Sequence, residues 1–504
     1  MITQSKDKPN VLWICTDHQR YDTLGCYGNT FVRTPNIDRL AQKGVQFNYA
    51  YTQSPVCTPS RACFLTGRYP RTTRARQNGQ MIPADERLIT KIFAEQGYNC
   101  GLSGKLHLAP CHTDVCRTTE KRIDDGYSVF NWSHHPMDFN KPKSGWANNE
   151  YHAWLRQNGQ VYQPKPYNGS KHVQIGMPEP YHHTTWCVDR AVDFIQANTI
   201  HENPWFFSVN IFDPHHPFDP PEEYLERYID MLDEIPLPNY VVGELDDKSI
   251  YQQREYRNGA YNNDKRFVYD TMTDYDHKLL RAAFWAMVDL IDAQTGRLID
   301  ELERCGQLDN TIIIFTSDHG ELLGDHGIHM KGPHFYDCCV RVPLIISWKK
   351  EKKNREKGEG QGGVLENIKS DALVELADIA PTLMEAIGLA PEAGMQGKSL
   401  WNLLNGNVPP DEHREDIICE YLNAMPNHSD PKAFLTMLRD RQYKIICNHM
   451  STDGELYDML ADPNETCNLW NNPEYSDVRF RLLKRLCDRI ALTCDPLPER
   501  QAGY

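Results

Sequence analysis

The chain has 504 residues, 40% of them apolar and 24% charged, with a formal net charge of −15. That balance supplies a sizeable core and argues against nonspecific binding to nucleic acid or to an anionic membrane surface. The opening residues carry no secretory h-region and no run of about 18 apolar residues occurs, so the sixteen cysteines read as mostly reduced thiols of a cytoplasmic protein.

Residues 11–16 form a short apolar run of strand formers. Residues 36–43 predict a helix stopped by Gly44 at its C′ position, and 45–51 alternate as a strand. A helix start follows Cys57, marked by Pro59. Residues 86–96 predict a helix ended by Gly97, and 98–102 a short strand. Residues 110–180 are rich in His, Trp, Tyr, Asn and Pro with little periodicity, and read as an insertion. Compact apolar runs at 205–212, 311–316 and 342–348 suit strands buried on both faces. Helical periodicity covers 279–304. Residues 349–363 hold Lys, Glu and Gly with almost nothing apolar, and read as a solvated loop. From about residue 410 the character shifts to antiparallel strands at 435–446 and 455–460. A closing helix follows at 476–492, with Ser476 as its N-cap. The alternation predicts an α/β protein: a large, mostly parallel or mixed sheet sandwiched by helices in 1–405, and a small C-terminal α+β subdomain in 406–504.

Chemistry concentrates after the predicted strand ends, where open parallel sheets bind ligands. Cys57 stands at a helix N-terminus, where free N–H groups favour negative charge, and Arg61 lies one turn on. That pairing suits attack on an anionic, oxygen-rich group; a buried structural cysteine is the plain alternative. Arg61, Arg68, Arg71, Arg74 and Arg76, with no acid among residues 57–76, make this region locally positive in an acidic chain, the last three suiting a solvated loop. Asp17 follows the first strand, and Asp318 with His319 follows the run at 311–316. Two converging carboxylates repel unless a cation lies between them, so a divalent metal is the natural occupant. Lys105 and His107, two apart, point the same way in an extended segment. His215 and His216 follow the run at 205–212. His326, His329 and His334 cluster in sequence, Trp132, Trp146 and Trp154 of the insertion suit stacking on a sugar or aryl ring, and His182-His183 suit substrate contact. Cys111 with Cys116, and Cys338 with Cys339, have no zinc-site spacing.

The run Cys57-Thr58-Pro59-Ser60-Arg61, followed by Leu65-Thr66-Gly67, resembles the signature of type I sulfatases. This formylglycine-dependent family belongs to the alkaline phosphatase-like superfamily, which also holds phosphonate monoester hydrolases. The resemblance implies that Cys57 is converted to 3-oxoalanine (formylglycine) by a formylglycine-generating enzyme. It implies one divalent metal, Ca2+ or Mn2+, held by Asp17, His18, Asp318, His319 and the oxygen of modified Cys57. His18 stands where many members carry a second acid, which also admits Zn2+ or Fe2+. Gly104-Lys105-Leu106-His107-Leu108 resembles a further family element, implying Lys105 on a nonbridging oxygen and His107 as general base. His215 and Lys331 match the leaving-group side, Arg61 the nucleophile side, and Asn78 a substrate-contacting position. Ser317–Glu321 resembles the second metal motif, and residues 455–469 resemble the family's small C-terminal subdomain. The implied activity is hydrolysis of a small-molecule or sugar sulfate ester. A phosphonate monoester or phosphodiester hydrolase is the alternative, and a non-catalytic binding protein with unmodified Cys57 a third. Neither nucleic acid nor membrane is expected as a partner, and monomer and homo-oligomer both stay open.

Overall fold

The computed structural model describes residues 8–137, 145–349, 363–449 and 451–494; most of the solvated loop expected at 349–363, like residues 1–7, lies outside them. The strands in chain order are β1 (Asn10–Thr16), β2 (Gly44–Tyr51), β3 (Asn99–Gly104), β4 (Val129–Trp132), β5 (Lys165–Pro166), β6 (Gln174–Ile175), β7 (Trp205–Asn210), β8 (Thr311–Ser317), β9 (Arg341–Val342), β10 (Leu344–Ser347), β11 (Ile368–Glu375), β12 (Ile417–Leu422), β13 (Phe434–Arg439), β14 (Tyr443–Asn448) and β15 (Gly454–Asp458).

Among the described residues the main sheet runs β11-β2-β10-β8-β1-β7-β3-β4, with β9 beside β2. β1 lies parallel to β7 and β8, and β3 to β7 and β4. β10 runs antiparallel between β2 and β8. Successive residues of a strand point to opposite faces. Leu12 and Ile14 of β1 enter a core formed with helices His183–Ala197 and Asp274–Arg304. Val11, Trp13 and Cys15 enter a second core formed with helices Cys57–Thr66, Ile89–Glu95 and Ile379–Ala386. Helices on both faces explain why the central strands read as continuous apolar runs. A second, antiparallel sheet, β12-β13-β14-β15, is backed by helix Ser476–Leu492. Leu482 and Leu486 of that helix pack against Ile418, Leu438, Ile445 and Leu456. Tyr421, Met437 and Ile446 cluster on the other side with Tyr51, Tyr336 and Leu373.

Several local expectations change. Pro343 lacks the ladder donor and separates β9 from β10, where one strand was expected. The antiparallel strands expected at 435–446 do form, as the hairpin of β13 and β14. Residues 110–180 are more than an insertion: Val129–Trp132 extends the main sheet, and Tyr151 and Leu155 of helix Glu150–Gln157 enter its core. A four-residue strand is too short for periodicity to reveal. Gly44 opens β2 because its Cα faces the Ile346 carbonyl so closely that a Cβ would collide with it. Ser476 is the first residue of its helix rather than its cap, with Oγ donating to the Pro473 carbonyl.

Candidate active site

Strand order places the ends of β1, β8, β7 and β3 side by side. Asp17, Asp318 and Lys105 follow the ends of β1, β8 and β3 directly, and Asp213 lies three residues beyond the end of β7. The signature helix begins at Cys57 itself, with Val56 as N-cap. Pro59 therefore sits two residues inside the helix, within the first turn. Asn78 Oδ1 accepts the Thr58 N–H at 3.0 Å, so Asn78 caps this helix instead of presenting that oxygen to a substrate. Gly67 ends the helix in the left-handed region, φ 68°, returning its N–H to the Cys63 carbonyl.

Cys57 is 1% exposed and surrounded by cations. Its Sγ lies 2.8 Å from Lys331 Nζ, 3.2 Å from His319 Nε2, 3.5 Å from Lys105 Nζ and 3.6 Å from Asp17 Oδ1. Burial pushes the thiol up, and Asp17 adds to that; Lys105, Lys331 and His319 together outweigh both and bring it to about 5. Arg61 Nε donates to Asp318 Oδ2 at 2.9 Å and Nη1 to the Lys105 carbonyl at 3.1 Å, while Nη2 is buried without a hydrogen-bond partner. Lys105 pairs with Asp17. Arg68 and Arg74 instead pair with Glu86, and Arg71 with Glu420.

Asp17, His18, Cys57 and His319 each offer one ligand atom within 4.8 Å of the others. His319 Nδ1 lies 2.9 Å from the Gly320 carbonyl and His18 Nδ1 2.7 Å from Glu321, which turns both Nε2 atoms inward. Lys331 Nζ reaches both, at 2.5 Å from His18 Nε2 and 3.2 Å from His319 Nε2. A cation thus already points into the focus of these donors. Asp318 stands beside the group: its Oδ1 accepts the His18 and His319 N–H groups, and its Oδ2 faces Arg61. Burial and the neighbouring Asp17 push its carboxyl up, while Lys105, His215, Lys331 and Arg61 outweigh burial and pull Asp17 down. One divalent ion among the four donors would relieve that conflict, so the residues fit the implied metal. Two imidazoles and a carboxylate favour Mn2+, Zn2+ or Fe2+ over Ca2+.

The His215 ring lies 4.0 Å from the His18 ring between centroids, tilted at 55°, and burial with His216 holds it neutral. His107 does not extend from Lys105: its φ is 59°, a left-handed conformation that needs local support. Glu120 provides it, accepting the N–H groups of His107, Leu108 and Ala109 and the Trp132 indole. Burial, Lys105 and Arg61 keep the His107 imidazole neutral, and its Nδ1 has no hydrogen-bond partner. Glu120 and Glu321 are the supporting residues that sequence reading missed. Glu321 lies inside the quoted Ser317–Glu321 motif; Glu120 sits in aperiodic sequence with no local signal.

Other expectations dissolve. Trp132 and Trp146 are core residues, with their indole N–H groups on Glu120 and the Cys111 carbonyl. His326 stacks on Tyr336, His329 on His277, and His334 faces Glu255, so these three form no common site. His182 caps its own helix through Thr184 N–H.

A Sulfatase family model matches residues 9–389, and an N-sulphoglucosamine sulphohydrolase C-terminal model matches residues 324–491. The chain belongs to the sulfatase family. It is a sulfuric ester hydrolase with an alkaline phosphatase-like fold. It is 29% identical over 524 residues to the arylsulfatase of Clostridium perfringens, covering 99% of this sulfatase and 96% of that protein. It is 27% identical over 512 residues to the N-acetylglucosamine-6-O-sulfatase of Bacteroides thetaiotaomicron, with 95% and 86% covered. Its fold matches the phosphonate monoester hydrolase of Silicibacter pomeroyi with a TM-score of 0.80 at 23% identity, over 97% and 96% of the two chains. Among the described residues of this sulfatase, no helix is long and apolar enough to cross a membrane.

Proposed function

We propose that this sulfatase cleaves sulfate monoesters of carbohydrate or aryl alcohols, with formylglycine made from Cys57 as the nucleophile and one divalent metal beside it. The observation that carries the reading is the convergence of Lys331, Lys105 and His319 on Cys57 inside a strongly acidic chain. Relatives that include an arylsulfatase and a sugar 6-O-sulfatase support the substrate classes.

Asp17, His18, His319 and residue 57, with Asp318 alongside, would hold the metal. When present, the metal supplies a Lewis acid toward the sulfuryl oxygens, and the aldehyde hydrate supplies a hydroxyl nucleophile with a second hydroxyl for releasing sulfate. Lys105 and Lys331 neutralise charge spread over the nonbridging oxygens. Arg61 Nη2, 3.6 Å from Asp17 Oδ2 and free of hydrogen bonds, would orient an oxygen at residue 57. Lys331 would serve the leaving-group side, and His215, pushed down by burial and His216, would gain a proton only as the anionic ester enters. Neutral His107 takes the proton whose removal releases sulfate. A modifying enzyme must reach Cys57 before folding, since every residue of helix Cys57–Thr66 is buried. Sixteen free thiols support a reducing, cytoplasmic setting.

Mass spectrometry of the peptide spanning residues 54–68 tests the nucleophile: a peptide lighter by the difference between thiol and aldehyde is expected, and an unmodified thiol from a competent host counts against it. Turnover of sulfated monosaccharides, choline sulfate and aryl sulfates, set against phosphodiesters on one sample, tests the substrate. His18, an imidazole in place of a second acid, favours a phosphonate monoester or phosphodiester hydrolase as the second reading, which faster phosphodiester cleavage would establish.

A further inference from the structure

Beside the catalytic donors lies a second cluster that shares none of their four ligands. A ring nitrogen of His107, a ring nitrogen of His134 and Cys111 Sγ all lie within 4.8 Å of one another. The three residues are 7%, 9% and 6% exposed respectively. His107 Nδ1 and His134 Nε2 are buried with no hydrogen-bond partner, an arrangement that native interiors avoid unless something satisfies those atoms.

We propose that His107, Cys111 and His134 form a second metal site, for one thiophilic ion of the Zn2+ class, whose filling shuts off turnover. Two imidazoles and a thiolate make a soft donor set that selects such an ion over Ca2+ or Mg2+. Burial holds both imidazoles in the neutral form that binds metal. The supports are built in. Glu120 fixes the backbone of His107, Leu108 and Ala109, and the Trp146 indole donates to the Cys111 carbonyl at 3.0 Å. His135 Nδ1 lies 2.6 Å from His134 Nδ1, and the Trp146 ring stands 5.3 Å from the His134 ring. Binding forms one metal–sulfur bond and breaks the Cys111 S–H bond, which donates to the Ala109 carbonyl at 3.3 Å, with the proton passing to solvent. Inhibition follows because His107 would then hold the ion with the ring that the proposed reaction needs as a base. That inhibitory part rests on the proposed function; the binding part does not.

Co2+ is the probe for binding. In full-length Cys57→Ala, titrated with Co2+ through two equivalents so that the Asp17, His18 and His319 group is supplied as well, a thiolate-to-metal charge-transfer band is expected in the near ultraviolet, absent from Cys57→Ala/Cys111→Ser. No band in the first variant, or an unchanged band in the second, overturns the site. For inhibition, the Mn2+-loaded enzyme is titrated with Zn2+ during sulfate-ester turnover. The half-inhibiting concentration is expected to rise at least tenfold in Cys111→Ser and in His134→Gln. Equal Zn2+ sensitivity in both variants overturns the inhibitory role. Absence of sulfate-ester turnover in the starting enzyme would overturn the proposed function alone, because the cobalt band is read without turnover.

Discussion

Glu321 Oε2 lies 2.7 Å from His18 Nδ1, and Nε2 of the same ring faces Lys331 and Asp17. Burial raises the Glu321 carboxyl to about 7, so the residue stands ready to share a proton with the imidazole. A carboxylate behind a ligating histidine fixes its tautomer and raises its basicity. Glu321→Gln is therefore expected to weaken metal affinity by about 10- to 100-fold while leaving thermal unfolding of the metal-free protein nearly unchanged. Titration of chelated protein with Mn2+ checks this. Unaltered affinity would make Glu321 a packing residue.

Glu120 makes a parallel case on the other side of the site. One carboxylate serves three backbone N–H groups and an indole, and so maintains the left-handed turn at His107. In Glu120→Leu these buried donors lose their acceptor, at a cost of about 1–3 kcal/mol each. Glu120→Gln keeps a neutral acceptor and is expected to fold, with kcat reduced more than KM because the His107 ring is displaced. Steady-state kinetics on Glu120→Gln, beside urea unfolding of both variants, separates the two effects.

The side chains that gather at the candidate site were legible because the β-strands that present them are short apolar runs ended by chemistry-bearing residues, as at Thr16-Asp17 and Ser317-Asp318. Their neighbours were not. Glu120 and His134 come from sequence without periodicity, and only the closure of β4 onto β3 brings them to His107. Gly44 illustrates a different limit. Its position after a helix suggested a left-handed cap, but the cause is the approach of β10, which local sequence does not contain. The left-handed φ at His18 and His107 was equally invisible, since nothing nearby signals which non-glycine residue tertiary contacts will strain.

Buried histidines set the acid limit of the fold. His152 Nε2 accepts the Met137 N–H at 2.9 Å, which requires the neutral ring, and burial holds His152 at about 3. His329 is likewise held at about 3 by burial and His277. In the unfolded chain both would titrate near 6.5. Between these values the unfolded state binds more protons, so stability rises with pH. The contribution is complete above about 6.5 and is lost as pH falls toward 3. At pH 5 each ring is expected to cost about 2 kcal/mol relative to pH 7.5. Urea unfolding at the two pH values should show a smaller difference for His152→Gln, whose amide oxygen can still accept from Met137. An identical difference in both proteins would remove His152 from the account.

His18 also tests what sets metal choice. Replacing it by aspartate would move the donor set toward oxygen and so toward Ca2+. The φ of 67° at this position is no obstacle, because aspartate tolerates the left-handed region well. Glu321 is an obstacle: a second carboxylate introduced beside it would repel, and the single variant is expected to lose metal affinity for every ion. Glu321→Gln removes that repulsion and leaves an amide that can donate to the new carboxylate. His18→Asp/Glu321→Gln is therefore expected to bind Ca2+ at least tenfold better relative to Mn2+ than the parent does. Equilibrium dialysis against both ions measures that ratio directly, and an unchanged ratio would mean that Asp17, His319 and residue 57 decide the metal without His18.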